Sequence, residues 1–357
     1  MIKLKPEFSE ALERAGQSEQ LSKSDLVTFL NADEEESKAL FQAADQARRR
    51  TLGDEVYFRG IIEFSNHCIK NCLYCGLRRD NKALARYRLK PEEILEGARE
   101  TARLGCRTLV LQSGEDNYYS ADMLGELIVR IKEENDLAIT LSLGDMTKED
   151  YLILHKAGAD RYLLKLETND PDLFSRLRPG TCLEERLQRQ IWLKETGFQL
   201  GSGNMVGLPG QSFKTLAGDV ILMRDMEVEM AGIGPFIPNK QTPLAEVPGG
   251  SLELSMKTLA AARLAMPGAH LPTTTSIASI HPQGRVKALQ CGANVIMPNM
   301  TPRQYRESYM IYPGKLGLQD TPEDSYKRAV QAVNEAGRTI SSSYGHSLKY
   351  EKKCVGI

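Results

Sequence analysis

The sequence predicts an α/β chain built as a complete (βα)8 TIM-type barrel, with an N-terminal helical extension and a C-terminal helical segment. Three observations carry that expectation. From Val56 onward, short apolar stretches alternate with amphipathic helical ones, the pattern of a parallel sheet. Eight such stretches fall within about 245 residues, which suits a closed barrel. A group of cysteines directly follows the first stretch, in the kind of loop where such barrels keep their chemistry. An open doubly wound sheet is the alternative, but the chain has no dinucleotide-binding glycine fingerprint.

Residues 1–54 read as a helical cap over the bottom of the barrel. Ser24 is expected to cap the run Asp25 to Leu30, and Asp33 the run Glu34 to Arg50. Leu40, Phe41, Ala44 and Ala47 fall at helical spacing, and Gly53-Asp54 ends the layer. The barrel itself should span residues 55–300. Its strands are expected at 56–64, 108–114, 138–144, 161–167, 199–207, 230–237, 271–277 and 293–298. Pro91 to Leu104, with proline at the first helical position, and Leu183 to Glu195 are two of the helices between them. Residues 301–357 form the closing segment, in which Tyr305, Tyr309 and Tyr312 recur at spacings that also suit a packed helix face.

The chain has 357 residues, 41% of them hydrophobic, which is ample for a large core. A net charge of −1 gives no reason to expect nucleic acid or an anionic membrane as partner. The opening Met-Ile-Lys-Leu-Lys has no hydrophobic leader, and no apolar run approaches 18 residues. A soluble, cytoplasmic monomer is therefore expected.

Cys68, Cys72 and Cys75 are spaced C-x3-C-x2-C, with Tyr74 just before the last. Thiolates are the usual ligands of iron–sulfur clusters, and three thiolates leave one iron of a cubane open. Structural zinc would need a fourth ligand, for which His67 is the nearby candidate. A disulfide is disfavoured by the odd count of 7 cysteines. Cys106, Cys182, Cys291 and Cys354 stand apart from one another, as packing residues do.

Strand alternation sends every second side chain into the lumen. Arg161, Lys165 and Glu167 share one parity, as do Thr140 and Ser142, and Arg59 and Glu63. Three charges facing the outer helices would be costly. Facing the lumen, they give a cationic, hydroxyl-rich cavity suited to a small anionic ligand. Arg59 and Arg161 as ion-pair partners at the barrel floor are the plainer alternative.

The cysteine spacing is that of the radical S-adenosylmethionine (SAM) superfamily. Leu111-Gln-Ser-Gly-Glu-Asp116, Met205-Val-Gly-Leu-Pro-Gly-Gln211, Gly232-Ile-Gly-Pro-Phe-Ile-Pro238, Cys291 to Asn299 and Tyr312-Pro-Gly-Lys315 make the match narrower. Together they resemble the HydE family of FeFe-hydrogenase maturases, related to biotin synthase and methylornithine synthase. The resemblance implies one 4Fe–4S cluster on Cys68, Cys72 and Cys75, and SAM as cofactor. It implies that Tyr74 lies against the adenine and that Gln112, Ser113, Gly114 and Glu115 receive the methionine amino group. Glu167 and Arg186 would bind the ribose and methionine ends. Arg59, Arg161, Thr140, Ser142, Thr274, Thr275, Tyr309 and Tyr312 would line the substrate cavity, with Met205 and Met230 as apolar contacts. The implied substrate is a small cysteine-bound iron–carbonyl–cyanide complex, attacked by a 5′-deoxyadenosyl radical. Companion maturases and an electron donor are the implied partners.

Two departures stand out. Lys165-Leu166 replaces an arginine and histidine found in some relatives, which keeps charge but loses bidentate geometry. The stretch after Lys315 lacks the three cysteines that hold a second cluster in some members. The competing readings are a mutase or other amino-acid-modifying enzyme of the methylornithine synthase type, and a non-catalytic iron–sulfur scaffold.

Overall fold

The computed structural model describes residues 4–350. Three helices come first: α1 (Pro6–Gly16), α2 (Lys23–Leu30) and α3 (Glu34–Leu52). Asp33 caps α3 as expected, and Glu36 returns the bond to the Asp33 amide. The cap of α2 is Ser22 rather than Ser24. Ser22 has Asp25 three residues on, so the two can cap each other's amides, an arrangement Ser24 lacks. Gly53, at φ +70°, ends α3 in a conformation that glycine adopts without strain.

The central unit follows in chain order: β1 (Glu55–Ser65), α4 (Pro91–Arg103), β2 (Thr108–Ser113), α5 (Ala121–Glu134), β3 (Ala138–Ser142), α6 (Lys148–Lys156) and β4 (Arg161–Leu163). Then come α7 (Pro171–Leu177), α8 (Leu183–Glu195), β5 (Gln199–Val206), α9 (Phe213–Asp225), β6 (Met230–Pro235) and α10 (Leu252–Ala265). The remainder is α11 (Thr275–Ile280), α12 (Gly284–Leu289), β7 (Val295–Ile296), α13 (Arg303–Arg306), α14 (Pro322–Glu335) and β8 (Thr339–Ile340). The strands pair in parallel in the order β6-β5-β4-β3-β2-β1-β7, with β8 against the start of β1. The fold is thus α/β, a curled parallel sheet of seven strands wrapped by helices.

Three expected strands differ, and the last of them, 293–298, is a strand only over Val295–Ile296. The stretch 271–277 makes only isolated bridges, His270 to Met230 and Pro272 to Val295. Pro272 has no amide hydrogen to extend a ladder, and the chain enters α11 at Thr275, so the β-branched Thr273-Thr274-Thr275 run is not a strand. β4 stops at Leu163, and a single bridge at Glu167 resumes the pairing. Its alternation still holds: Tyr162, Leu164 and Leu166 are buried in the apolar core, while Leu163, Lys165 and Glu167 line the interior cavity.

The N-terminal helices lie on the outside of the barrel rather than under it. Arg224 of α9 donates to Leu21 O (2.6 Å), and Lys257 of α10 to Ala32 O (2.6 Å). The floor is filled instead by residues after β8, the strand the sequence did not suggest. Thr108 Oγ1 and Arg161 Nη2 donate to Tyr344 O (2.9 and 2.8 Å), and Ser347 N to Gln199 Oε1 (2.8 Å). Among the described residues, no helix is long and apolar enough to cross a membrane.

Candidate functional site

Cys68, Cys72 and Cys75 follow the carboxyl end of β1, and none is in a disulfide. Backbone bonds fix their loop from three sides. Ile69 N donates to Glu115 O (2.9 Å), Leu73 N to Leu177 O (2.9 Å) and Gly76 N to Ile311 O (2.8 Å). The Arg86 guanidinium clamps the end of the loop through Leu77 O (2.9 Å), Arg78 O (2.7 Å) and Asn81 O (3.2 Å). Two glycines make the closeness possible. A Cβ on Gly76 would lie 2.0 Å from Met310 O, and one on Gly114 would lie 2.2 Å from His67 O and 2.9 Å from Cys68 Cβ. Burial, then the neighbouring Cys72, pushes the Cys75 thiol well up. A thiol raised in this way ionises beside added positive charge, which an iron–sulfur core supplies. Among the described residues no three His, Cys, Asp or Glu side chains meet at one point as ligands of a single ion would. Three free thiols on one short loop are the donor set of an iron–sulfur cluster with one open iron.

A nest of charges adjoins the loop. Glu115 lies 3.3 Å from Lys70, 3.5 Å from Arg178 and 3.8 Å from Arg186. Asp145 lies 3.2 Å from Arg186, 3.5 Å from Lys70 and 3.7 Å from Arg189. Gly144 is required here, because a Cβ would overlap Glu115 Cγ at 1.8 Å and its φ is +89°. Burial and then Asp145 raise the Glu115 carboxyl, and Arg186, Lys70 and Arg178 pull it back. Four cations face two carboxylates, an excess of positive charge beside three cysteines. Arg186 Nε, Arg178 Nε and Nη2, and Asp145 Oδ1 have no hydrogen-bond partner. Buried polar groups need partners, and a ligand carrying both charges, such as a zwitterionic amino-acid end, could supply them.

Inside the sheet lies a cavity of about 280 Å³. Tyr74, Gln112, Glu167 and Met205 line it toward the cysteine loop. Arg59, Thr140, Lys165 and Met230 line its depth, and Thr274, Thr275 and Tyr312 its far wall. Lys165 Nζ stands 3.1 Å from Glu167 Oε2, yet that oxygen accepts no well-directed hydrogen bond. Glu167 has φ +63°, uncommon for any residue but glycine. Its amide donates to Gly203 O (3.0 Å) and its carbonyl accepts from Met205 N (3.1 Å). Beneath it, buried Asp219 accepts from Asn169 N (2.6 Å) and Asn204 Nδ2 (2.8 Å), and burial pushes its carboxyl up to about 7.

The remaining expected residues lie elsewhere. Arg161 is on the floor, bonded to Tyr344 O and 2.9 Å from His346 Nδ1. Arg59 reaches the cavity but also donates to Gly345 O (3.2 Å). Both donate to backbone carbonyls of the tail, Gly345 O and Tyr344 O. Ser142 and Tyr309 are not on the cavity wall, and Tyr309 OH accepts from Gln112 Nε2 (3.2 Å). Ser113, Gly114, Glu115 and Arg186 gather at the cysteine loop instead, with Ser113 Oγ turned back to Gly114 O (2.7 Å). Tyr305, Tyr309 and Tyr312 share no helix, because α13 ends at Arg306. Tyr305 stacks on Tyr87.

Sequence reasoning passed over Asp145, Arg178, Asp219 and the buried pair Glu63–Lys315. Asp145 was within reach, since it follows β3 at the end where such sheets carry chemistry. Arg178 and Asp219 have no periodic or motif signal.

Comparison with known proteins bears on the arrangement. The family model of the Radical SAM superfamily matches residues 62–223. The FeFe-hydrogenase maturase subunit HydE of Thermotoga maritima is 49% identical over 309 residues, covering 87% of this chain and 88% of that protein. A 3-methylornithine synthase of Methanosarcina acetivorans is 30% identical over 280 residues, 78% of this chain and 79% of that one. Among solved structures, methylornithine synthase (PylB) superposes with a TM-score of 0.81 at 24% identity, covering 97% of this chain and 99% of the other. The maturase HydG from Carboxydothermus hydrogenoformans gives 0.79 at 24% identity over 94% and 79%. These two likenesses speak for the fold.

Proposed function

The chain belongs to the HydE family of radical SAM enzymes, and from that premise we propose which of its residues carry the reaction and on what substrate. It is a radical SAM enzyme of FeFe-hydrogenase maturation, with a 4Fe–4S cluster and SAM as cofactors. Cys68, Cys72 and Cys75 hold the cluster. Bound together, cluster and SAM supply a 5′-deoxyadenosyl radical, a chemistry the protein places and shields from water. Arg186 meets the methionine carboxylate, displacing part of its contact with Asp145, and Glu115 receives the amino group. Glu167 takes a ribose hydroxyl on the oxygen that now accepts no well-directed bond. Tyr74 packs at the same mouth.

The substrate occupies the cavity behind. The observation that carries this is the 280 Å³ interior space opening beside the cysteine loop, with Lys165 as a cation on its wall. That volume is at the small end for ligand sites. Met205, Met230 and Leu163 keep it dry, and the Lys165 ammonium suits a substrate carboxylate or a metal-bound cyanide. A small cysteine-bound iron–carbonyl–cyanide complex meets all three conditions. Arg59, Thr140, Thr274, Thr275 and Tyr312 complete its surroundings, while Arg161, Ser142 and Tyr309 support them from outside the wall.

The bridges at His270 and Pro272 support reading the sheet as a closed eight-strand ring. Residues 1–54, 55–300 and 301–357 then form an outer helical layer, barrel and closing segment of a cytoplasmic monomer. It works with companion maturases and a one-electron donor. The test is hydrogenase activation in a reconstituted maturation mixture with and without this protein. Activation that needs the protein supports the reading. SAM cleavage with no activation, but with rearrangement of an amino acid, would favour the methylornithine synthase type.

A further inference from the structure

Arg178 lies at the carboxyl end of α7 and is 7% exposed. Its Nη1 donates to Tyr74 OH (3.0 Å), and Leu177 beside it accepts from Leu73 N (2.9 Å). The side chain is therefore anchored to the cysteine loop itself, between Cys72 and Cys75. Its Nε and Nη2 have no hydrogen-bond partner, and the nearest carboxylate, Glu115 at 3.5 Å, is shared with Lys70 and Arg186. The Phe174 ring 5.5 Å away and the small apolar core of Leu173, Leu177, Leu208 and Phe236 keep water off this face. Charge this far from water is expensive unless something answers it. The groups that answer it are Tyr74, Cys72 and the shared Glu115, two of them on the cysteine loop.

We propose that Arg178 is the positioning residue that sets the reduction potential of the cluster, its fixed positive charge stabilising the added electron. This deepens the radical SAM reading and rests on it. Reduction adds one electron from a low-potential donor and makes the cluster with its thiolates one unit more negative. No proton moves, because a guanidinium keeps its own. A cation held in a low-dielectric wall favours the more negative state. Arg186 cannot do the same, since it is committed to Asp145 and to the methionine end. Arg178 faces Tyr74 and the cysteines.

Three variants separate charge from scaffolding. Arg178→Gln can keep a donor toward Tyr74 but loses the charge, Arg178→Lys keeps the charge, and Tyr74→Phe removes only the bond between them. Each is reconstituted anaerobically, assayed for iron and sulfide, and titrated with titanium(III) citrate while the EPR signal of the reduced cluster is followed. With equal iron content, Arg178→Gln should reduce at a clearly lower potential, with Arg178→Lys and Tyr74→Phe close to wild type. An unshifted midpoint in Arg178→Gln, or an equal shift in Tyr74→Phe, overturns the proposal. A wild-type protein that takes up no iron would sink the radical SAM reading, a separate result.

Discussion

The buried pair Glu63–Lys315 ties the top of β1 to the closing segment, and breaking it should cost more than any surface ion pair. Lys315 is 7% exposed and Glu63 3%. Asn299 Nδ2 gives Glu63 one further bond (3.2 Å), and Lys315 lies over the Tyr309 ring at 4.9 Å. Lys315→Met keeps the length of the side chain and strands the Glu63 carboxylate. Removing one member of a buried pair costs about 3–5 kcal/mol. Unfolding entropy of about 2.1 cal/mol/K per residue over 357 residues is roughly 0.75 kcal/mol/K. The expected fall in Tm is thus about 4–7 °C. Replacing both members, Glu63→Gln with Lys315→Met, leaves no buried charge and should restore most of the loss. Thermal melting of the apo-protein by circular dichroism measures all three. The segment that Lys315 anchors also accepts the Gly76 amide hydrogen at Ile311 O, so the single variant should retain less iron. A Tm within 1 °C of wild type would refute the reasoning. A double variant as unstable as the single would show that packing, not pairing, was lost.

Other perturbations follow from the site. Arg186→Ala should weaken SAM binding by about 2–4 kcal/mol, roughly 30- to 900-fold; unchanged affinity by calorimetry would remove Arg186 from the methionine end. Lys165→Met should leave cluster assembly and SAM binding intact and lose hydrogenase maturation, with Lys165→Arg keeping much of it. Full maturation by Lys165→Met would make Lys165 only the ion-pair partner of Glu167. Asp219, ordinarily near 3.8, is raised to about 7, so the folded protein holds a proton the unfolded chain has lost. Its contribution to stability is greatest below 3.8 and is lost as pH rises through 7. Asp219→Asn removes that slope, and Asn204 Oδ1, which has no partner, can accept the new amide. In urea unfolding the variant should therefore gain on wild type from about pH 5 to pH 8; a constant difference would contradict it.

Much of this was legible in the chain because it rests on local rules. Periodicity located α4 and α8, the latter with its start and end at Leu183 and Glu195 matched, and Asp33 marked the start of α3. The cysteine spacing and the strand-end rule located the loop of Cys68 to Cys75. Illegible features were those decided by tertiary contacts. Thr273-Thr274-Thr275 has strand propensity, yet Pro272 and the start of α11 override it. Parity correctly turned Arg59 and Arg161 inward, but nothing local says that residues 344–347 fold under the sheet and take their hydrogen bonds. Arg178 is informative only because Tyr74, 104 positions away, lies against it.

The most direct test of the account uses the anaerobically reconstituted protein. It should hold about four irons and four sulfides per chain. Its reduced EPR signal should change on adding SAM, and 5′-deoxyadenosine should accumulate. Cys68→Ala should abolish all three results, while Cys106→Ala, buried behind the sheet at 1% exposure, should leave them intact. A tightly held zinc with no iron, or a cluster whose signal ignores SAM, would contradict the central claim.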